Sequence, residues 1–346
     1  MTGPCRPALL ACLAPFVTGC GAEPDLVVYV SLDQIFSEEL IREFEAETGL
    51  DVRAEYDVEA NKTVGLVRRI IEEGAHPRCD VYWNNEVAQT VRLAEMGMLA
   101  AYDSPSAAEI PELFRDPDRR WTGFAARARC LIVNTDLVPD PSVVRGMWDL
   151  HDPSWAGRVA VARPLTGTTL THATALYQEI GEEAADRYWR TVADHQHDDP
   201  PPVHVTGGNG PVATLVAEGE LAWGWTDTDD FNVMRANGRP VACVFPDQEP
   251  EPGAEAPLGT LLIPNTVAIL DGAPHREAAE RFVDWVLSKD VEERLAHARS
   301  AQIPVRPDVP RPAHVRSDFA VMQVSYVAIG KEIANRTERF NEMFLR

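Results

Sequence analysis

Short apolar segments alternate with amphipathic segments along most of the chain, and this alternation restricts the fold more than any other feature. Residues 26–30 are uniformly apolar, as expected for a strand buried on both faces of a parallel sheet. Apolar positions in residues 37–49 recur at helical spacing, and further strand–helix patterns begin near residues 52, 80 and 159. Repeated units of this kind predict doubly wound α/β layers.

Two segments, residues 123–134 and 259–270, are long and strand-like. Each could leave one α/β lobe and enter the other, and two crossing strands would form a hinge with a ligand cleft between the lobes. A chain of 346 residues is long enough for this arrangement. We therefore expect two doubly wound α/β lobes joined by a two-strand hinge, with residues 25–128 and 260–310 in the first lobe and residues 129–259 and 311–346 in the second.

The first residues of the chain predict export rather than a folded element. Residues 8–17 are apolar but too few to span a membrane as a helix, and the sequence VTGC follows at residues 17–20. This tetrapeptide resembles the lipobox of bacterial lipoproteins, which implies a signal peptide over residues 1–19, a lipid on Cys20 and a tether over residues 20–24. The alternative is an ordinary secretory signal with a chance cysteine. We expect a protein anchored by its lipid at the periplasmic or extracellular face of the cell envelope.

The charge balance and the missing motifs disfavour several functions. The chain has 54 acidic and 32 basic residues, a formal net charge of -22, which disfavours nucleic acid and anionic lipid as partners. It contains no G-x-S-x-G, P-loop or H-E-x-x-H sequence, so we expect neither an enzyme nor a zinc site. Paired carboxylates leave a hydrolase as a distant alternative. The cysteines after residue 20 should be buried free thiols, with one disulfide as the minor alternative: Cys79, Cys130 and Cys243.

Several short motifs follow one another in an order that matches a known family. They are VYVS at residues 28–31, DVYWNNE at 80–86, LIVNT at 131–135, GELA at 219–222 and IPNTVA at 263–268. Together they resemble the bacterial extracellular solute-binding proteins of the ferric-iron-binding type, over most of residues 25–305. The resemblance implies the fold of type II periplasmic binding proteins. It also implies a monomeric receptor that needs no cofactor and delivers a small ligand to the permease of an ABC transporter.

The resemblance also implies where the ligand binds, although part of the family pattern is missing. Ferric-binding members hold the metal with two tyrosines after the G-E-x-A strand, and Asp229 and Asp230 stand at those positions here. The resemblance alone therefore does not imply that this chain binds ferric iron. Ligand groups from the first lobe would follow its first and third strands, at Ser31, Asp33, Asn85 and Glu86.

Three carboxylates lie within four residues after an apolar strand, at Asp227, Asp229 and Asp230. Like charges this close repel one another unless a cation, hydrogen-bond donors or protonation compensates them. Hard cations prefer such oxygen ligands, and ligand hydroxyl or ammonium groups could also use them. The alternative is a plain turn in which one aspartate caps the next helix. Trp225 lies beside this cluster, as a ligand contact or as a core residue.

A second candidate region is the sequence around Gly167, Thr168 and Thr169, which precedes a helix. Backbone amides and hydroxyls at a helix N-terminus bind anions, although a simple threonine cap is the alternative. Asn209, in a glycine-rich turn, is a weaker candidate of the same kind. Arg127 and Arg129 share one face of their strand, where they could reach an anion or support the hinge through ion pairs.

Two ligand classes agree with these residues. The first is ferric iron or another hard cation, with Glu86, Asp229 and Asp230 as its ligands and a synergistic anion on the Gly167–Thr169 turn. The alternative is a phosphorylated or phosphonate-type organic solute, with its anionic group on the same turn and its polar groups on the aspartates. The acidic cluster and the family resemblance favour the metal.

Overall fold

The computed structural model describes residues 23–32, 34–57 and 65–345. The predicted signal peptide, Cys20 and Asp33 lie outside these residues. Among the helices of the described part, none is both long and apolar enough to cross a membrane.

One mixed sheet runs through the described part of the molecule. Its two halves form the two lobes. The first lobe holds β1 Leu26–Val30, β2 Val52–Tyr56, β3 Val81–Asn84, β4 Leu99–Ala100 and β10 Leu262–Leu270. The second lobe holds β6 Val159–Ala162, β7 Val203–Thr206, β8 Trp223–Asp227 and β9 Val241–Val244.

Helices cover both halves of the sheet, as the alternating sequence pattern predicts. Those of the first lobe are α1 Gln34–Thr48, α2 Gly65–Glu73, α3 Ala88–Glu95, α8 Arg276–Val286 and α9 Lys289–His297. Those of the second lobe are α4 Gly167–Glu179, α5 Glu182–His195, α6 Asn209–Ala217 and α7 Thr228–Ala236. The apolar residues of β1 are buried throughout, because the strand pairs in parallel with β2 and β3 and is covered on both faces.

The long strand β5 is Thr122–Asn134, and the strands of the sheet follow the order β2-β1-β3-β10-β5-β8-β6-β7, with β4 beside β10 and β9 beside β5. Strand β5 belongs to both lobes. Its first half pairs with β10, where Ala128 lies opposite Leu262, and its second half pairs with β8, where Arg129 lies opposite Asp227. The chain passes between the lobes again just before β10, where the Arg129 amide donates to the carbonyl of Leu261 at 3.0 Å. Both passages fall in the segments that the sequence predicts as crossing strands.

The last helix, α10 Tyr326–Phe344, packs against helices of both lobes. It approaches α3 so closely that a Cβ on Gly330 would lie 2.3 Å from Cβ of Val91. On its other side Phe340 contacts Trp189 of α5, with ring centroids 5.8 Å apart. The assignment of residues 311–346 to the second lobe alone stays a prediction, since this helix contacts both.

The cysteines of the described residues are free thiols, as predicted. Cys79 and Cys130 are buried, and Cys243 is half-buried. Burial raises the pKa of the Cys130 thiol well above its usual range, and hydrogen bonding to Cys243 raises it further.

Candidate functional site

A polar cavity of about 350 Å³ lies between the two lobes. The second lobe supplies most of its wall from the N-termini of α4, α6 and α7, and Asn85 and Arg127 line it as well. These helix starts follow β6, β7 and β8, so the cavity lies at the carboxyl ends of the strands, where ligands bind in open α/β sheets. The site is therefore placed by the topology of the sheet.

The three aspartates of the predicted cluster meet at this cavity. Asp227 ends β8, Asp229 and Asp230 lie in the first turn of α7, and carboxylate oxygens of the three lie within 4.8 Å of one another. Asp227 stands at the N-cap position of α7, but its side chain makes no capping hydrogen bond. Its carboxylate instead accepts hydrogen bonds from Arg129 at 2.6 Å and from the Asn209 amide at 3.0 Å.

Two arginines on β5 pair with this cluster. Arg127 donates to Asp229 at 3.1 Å and Arg129 to Asp227 at 2.6 Å. Asp230 accepts a hydrogen bond from the Thr226 hydroxyl at 3.0 Å. Burial raises the pKa of Asp230 well above its usual range, and the charges of Asp229 and Asp227 raise it further. Two guanidinium groups thus face three carboxylates.

The predicted anion-binding turn lines the same cavity beside the aspartate cluster, at the start of α4. Gly167 has a φ of +59°, and a Cβ there would meet nothing within 4 Å, so the backbone is open to the cavity. The hydroxyl of Thr168 donates to Asp227, and that of Thr169 donates to Asn209 at 3.0 Å. Because these hydroxyls bind protein groups, the anion-binding capacity of this wall comes mainly from the backbone N–H groups of the helix N-termini.

Asn209 connects three parts of the wall. It is the first residue of α6, and its amide group donates to Thr168 at 2.8 Å and to Asp227 at 3.0 Å. Its side-chain oxygen accepts from Arg129 at 3.1 Å. The weaker candidate from the glycine-rich turn is therefore both a lining residue and a support for its neighbours.

Three of the proposed site residues lie away from the cavity lining. Ser31 is buried at the end of β1, and its hydroxyl donates to Asp57 at 2.7 Å. Glu86 is also buried. Its carboxylate caps α3 by accepting hydrogen bonds from the backbone amides of Ala88 at 2.7 Å and Gln89 at 2.8 Å. Trp225 faces the core and packs against His172, with ring centroids 4.8 Å apart.

The metal-ligand role expected for Glu86 stays a prediction, and the position of Glu86 outside the cavity lining does not support it. Its oxygens are already engaged by helix amides, and burial raises the pKa of this carboxyl, which disfavours the ionised form that a metal requires. Asn85 does line the cavity, and its carbonyl accepts from Arg127 at 2.6 Å. Of the residues in the motif at 80–86, Asn85 therefore lines the cavity, whereas Glu86 does not.

Known proteins resemble this chain over nearly its whole length. The family model described as bacterial extracellular solute-binding protein matches residues 39–323. Iron uptake protein A1 of Synechocystis sp. is 26% identical over 340 residues, which are 95% of this chain and 89% of that protein.

Solved structures show the same architecture. The apo ferric ion-binding protein A of Pasteurella haemolytica has a TM-score of 0.79 at 18% identity and covers 92% of this chain and 97% of its own. The periplasmic binding protein AfuA of Actinobacillus pleuropneumoniae, with fructose-6-phosphate bound, has a TM-score of 0.77 at 22% identity, with 92% and 98% covered. These likenesses establish the two-lobed fold. With the family match over most of its length, the chain belongs to the bacterial extracellular solute-binding proteins.

Proposed function

We propose that this solute-binding protein is the receptor of an ABC-type importer and captures ferric iron, or another hard cation, together with an anion. The observation that carries the proposal is the cluster of Asp227, Asp229 and Asp230, whose carboxylate oxygens lie within 4.8 Å of one another at the interlobe cavity. The relative named iron uptake protein A1 supports the same ligand class. The protein would bind and release this ligand without catalysing a reaction.

The chemistry of the cluster suits a hard cation. Such ions prefer carboxylate and other oxygen ligands. Asp229 and Asp230 would be the ligands, while Asp227 stays paired with Arg129. Because its raised pKa means that Asp230 holds a proton more tightly than a free carboxyl does, a bound cation would compete with that proton and relieve the repulsion among the carboxylates.

An anion would complete the site at the helix N-termini beside the aspartate cluster. The N-termini of α4 and α6 both line the cavity, and their backbone amides and helix dipoles favour negative charge. Arg127 lines the same cavity and adds a positive charge beside Asp229. A cation and an anion together would leave the cavity closer to neutral than either would alone.

The second candidate ligand is a phosphorylated organic solute. A cavity of about 350 Å³ is larger than a bare ion needs and lies within the usual range of roughly 300–1,000 Å³ for small-molecule sites. Its phosphate would lie at the two helix N-termini, and the aspartates would accept hydrogen bonds from its hydroxyl groups. The fold accommodates such a solute in AfuA, whose structure holds fructose-6-phosphate.

A matched pair of double variants tests the metal proposal. Asp229→Asn with Asp230→Asn keeps the side-chain size and removes both charges at the cavity. Asp198→Asn with Asp199→Asn makes the same change in an exposed loop. We expect iron supplied as ferric citrate to bind the wild type and the loop variant, and to be lost from the cavity variant, as measured by metal analysis after gel filtration. Equal iron content in all three proteins would refute the assignment.

Export and anchoring through Cys20 also remain a proposal, supported by the lipobox-like sequence at residues 17–20. In cells, the wild type should fractionate with membranes, and Cys20→Ala should release it. Soluble wild-type protein that begins at another residue would contradict the anchor.

A further inference from the structure

A buried hydrogen bond connects the two lobes beside the cavity. Thr171 lies in the second turn of α4, on the second lobe, and its hydroxyl donates to the carboxylate of Glu86 at 2.9 Å. Glu86 lies between β3 and α3 on the first lobe, 85 residues earlier in the chain. Each of the two residues is only 1% exposed. The contact is therefore part of the interface between the lobes.

The Glu86 side chain is held firmly on its own lobe. Its carboxylate accepts from the amides of Ala88 and Gln89 at 2.7 and 2.8 Å, and the Asn84 amide group lies 3.4 Å away. Among the hydrogen bonds of the described residues, Thr171 is the donor that reaches this carboxylate from the second lobe. A fixed acceptor on one lobe thus meets a single hydroxyl on the other.

The alternative acceptor of the Thr171 hydroxyl lies within its own helix. The Gly167 carbonyl is 3.3 Å away, whereas the Glu86 carboxylate is 2.9 Å away. A hydroxyl has one proton to donate, and the shorter contact to a carboxylate is the stronger one. If the lobes separated, Thr171 would turn to Gly167, and Glu86 would lose its donor from the second lobe.

The position of this contact relates it to ligand capture. Asn85, next to Glu86, lines the cavity, and its carbonyl accepts from Arg127, which also pairs with Asp229 on the second lobe. On the side of Thr171, α4 begins with the proposed anion-binding turn at Gly167. The hydrogen bond between Thr171 and Glu86 therefore joins the two lobes next to the cavity, where they must come together around a ligand.

We propose that Glu86 and Thr171 form an interlobe latch, which holds the lobes in the closed arrangement and sets ligand affinity without touching the ligand. The latch serves the cavity of the proposed receptor, but it does not depend on which ligand the cavity takes. In the latch, Glu86 positions the lobes through Thr171 and is not a metal ligand.

The test compares two threonines of the same helix. Thr171→Val removes the latch hydroxyl. Thr174→Val is the matched control, because Thr174 is also 1% exposed and its hydroxyl donates only within α4, to the Leu170 carbonyl at 2.8 Å, among the bonds of the described residues. Thr171→Ser restores the hydroxyl. The readout is the radius of gyration of ligand-free protein in solution scattering, so that the result stands even if ferric iron is not the ligand.

We expect a larger radius of gyration for Thr171→Val, and values equal to the wild type for Thr171→Ser and Thr174→Val. A value for Thr171→Val equal to that of the wild type would overturn the latch, as would an equal increase in Thr174→Val. Circular dichroism checks that each variant is folded. If Thr171→Val does not fold, Thr171→Ala is compared with Thr174→Ala by the same measurement.

Discussion

Arg129 connects several elements of the cavity wall. Its side chain is 1% exposed, and one guanidinium nitrogen donates to Asp227 at 2.6 Å and to Asn209 at 3.1 Å. The ring of Trp225 lies against the same guanidinium, 5.8 Å from its carbon. Strand β5, the end of β8 and the start of α6 therefore meet at one buried cation.

Removing this cation should destabilise the protein strongly. Arg129→Met leaves the Asp227 carboxylate buried without its partner, which typically costs about 3–5 kcal/mol. Arg42→Met is the control, because Arg42 pairs with Glu38 on the surface, where an ion pair contributes roughly 0–1 kcal/mol. Urea unfolding measures both, and equal losses would contradict the role given to Arg129.

Asp247 is another buried carboxyl, and it does not line the interlobe cavity. Its φ of +57° lies in the left-handed region, one side-chain oxygen accepts from the Met147 amide at 2.9 Å, and the residue is 8% exposed. Burial raises the pKa of Asp247 to about 7. Between roughly pH 4 and 7 the folded state keeps a proton that the unfolded state has lost, so the free energy of unfolding falls as the pH rises through this window.

Asp247→Asn should remove this pH dependence. The amide cannot ionise, and asparagine tolerates left-handed φ values. We expect the variant to match the wild type near pH 4 and to exceed its free energy of unfolding by up to about 4 kcal/mol at pH 8. Urea unfolding at several pH values measures the difference, and a constant offset across this range would contradict the assignment.

At the scale of elements, the sequence predicted the alternation of strands and helices and both passages between the lobes. It could not predict which side chains meet. Arg129 reaches Asp227 only because β5 and β8 pair in a register that places them opposite each other. Glu86 stands near the expected position, but the amides of α3 draw its carboxylate inward.

The sequence also could not predict the residues at which helices begin. The pattern of residues 37–49 predicts the helix, yet α1 begins at Gln34. Ser37, a plausible cap by residue type, lies inside the helix with its hydroxyl 3.4 Å from the Leu32 carbonyl. The apolar spacing therefore identified the helix but not the residue at which it begins.

Gly259, at the passage into β10, offers a test at this scale. It has a φ of +80°, and a Cβ there would lie 2.9 Å from backbone atoms of Ala320 and Met322. Gly238 has a φ of +73°, and a Cβ there would have no other atom within 4 Å. Gly238→Ala therefore measures only the cost of placing alanine in a left-handed conformation, about 1–2 kcal/mol in the free energy of unfolding. We expect Gly259→Ala to cost more than this in thermal unfolding. Equal losses would show that the close approach has no effect.

At the scale of the whole molecule, two lobes share one sheet, and β5 and α10 contact both. The walls of the cavity come from segments far apart in the chain, so rotation of the lobes would open or close the site as a unit. The fold was predictable because it follows from repeated local patterns. The ligand was less predictable than the fold, because ligand binding depends on a few side chains that come together only when the chain is folded.

Native mass spectrometry tests the central claim most directly. The purified protein, without residues 1–19, is incubated in parallel with ferric citrate and with fructose 6-phosphate, and the mass of each complex is recorded before and after addition of a chelator. We predict one ferric ion per chain, carried with an anion and removed by the chelator, and no retained sugar phosphate. A chain that retains the sugar phosphate, takes up no iron and is unaffected by the chelator would contradict the metal-binding account.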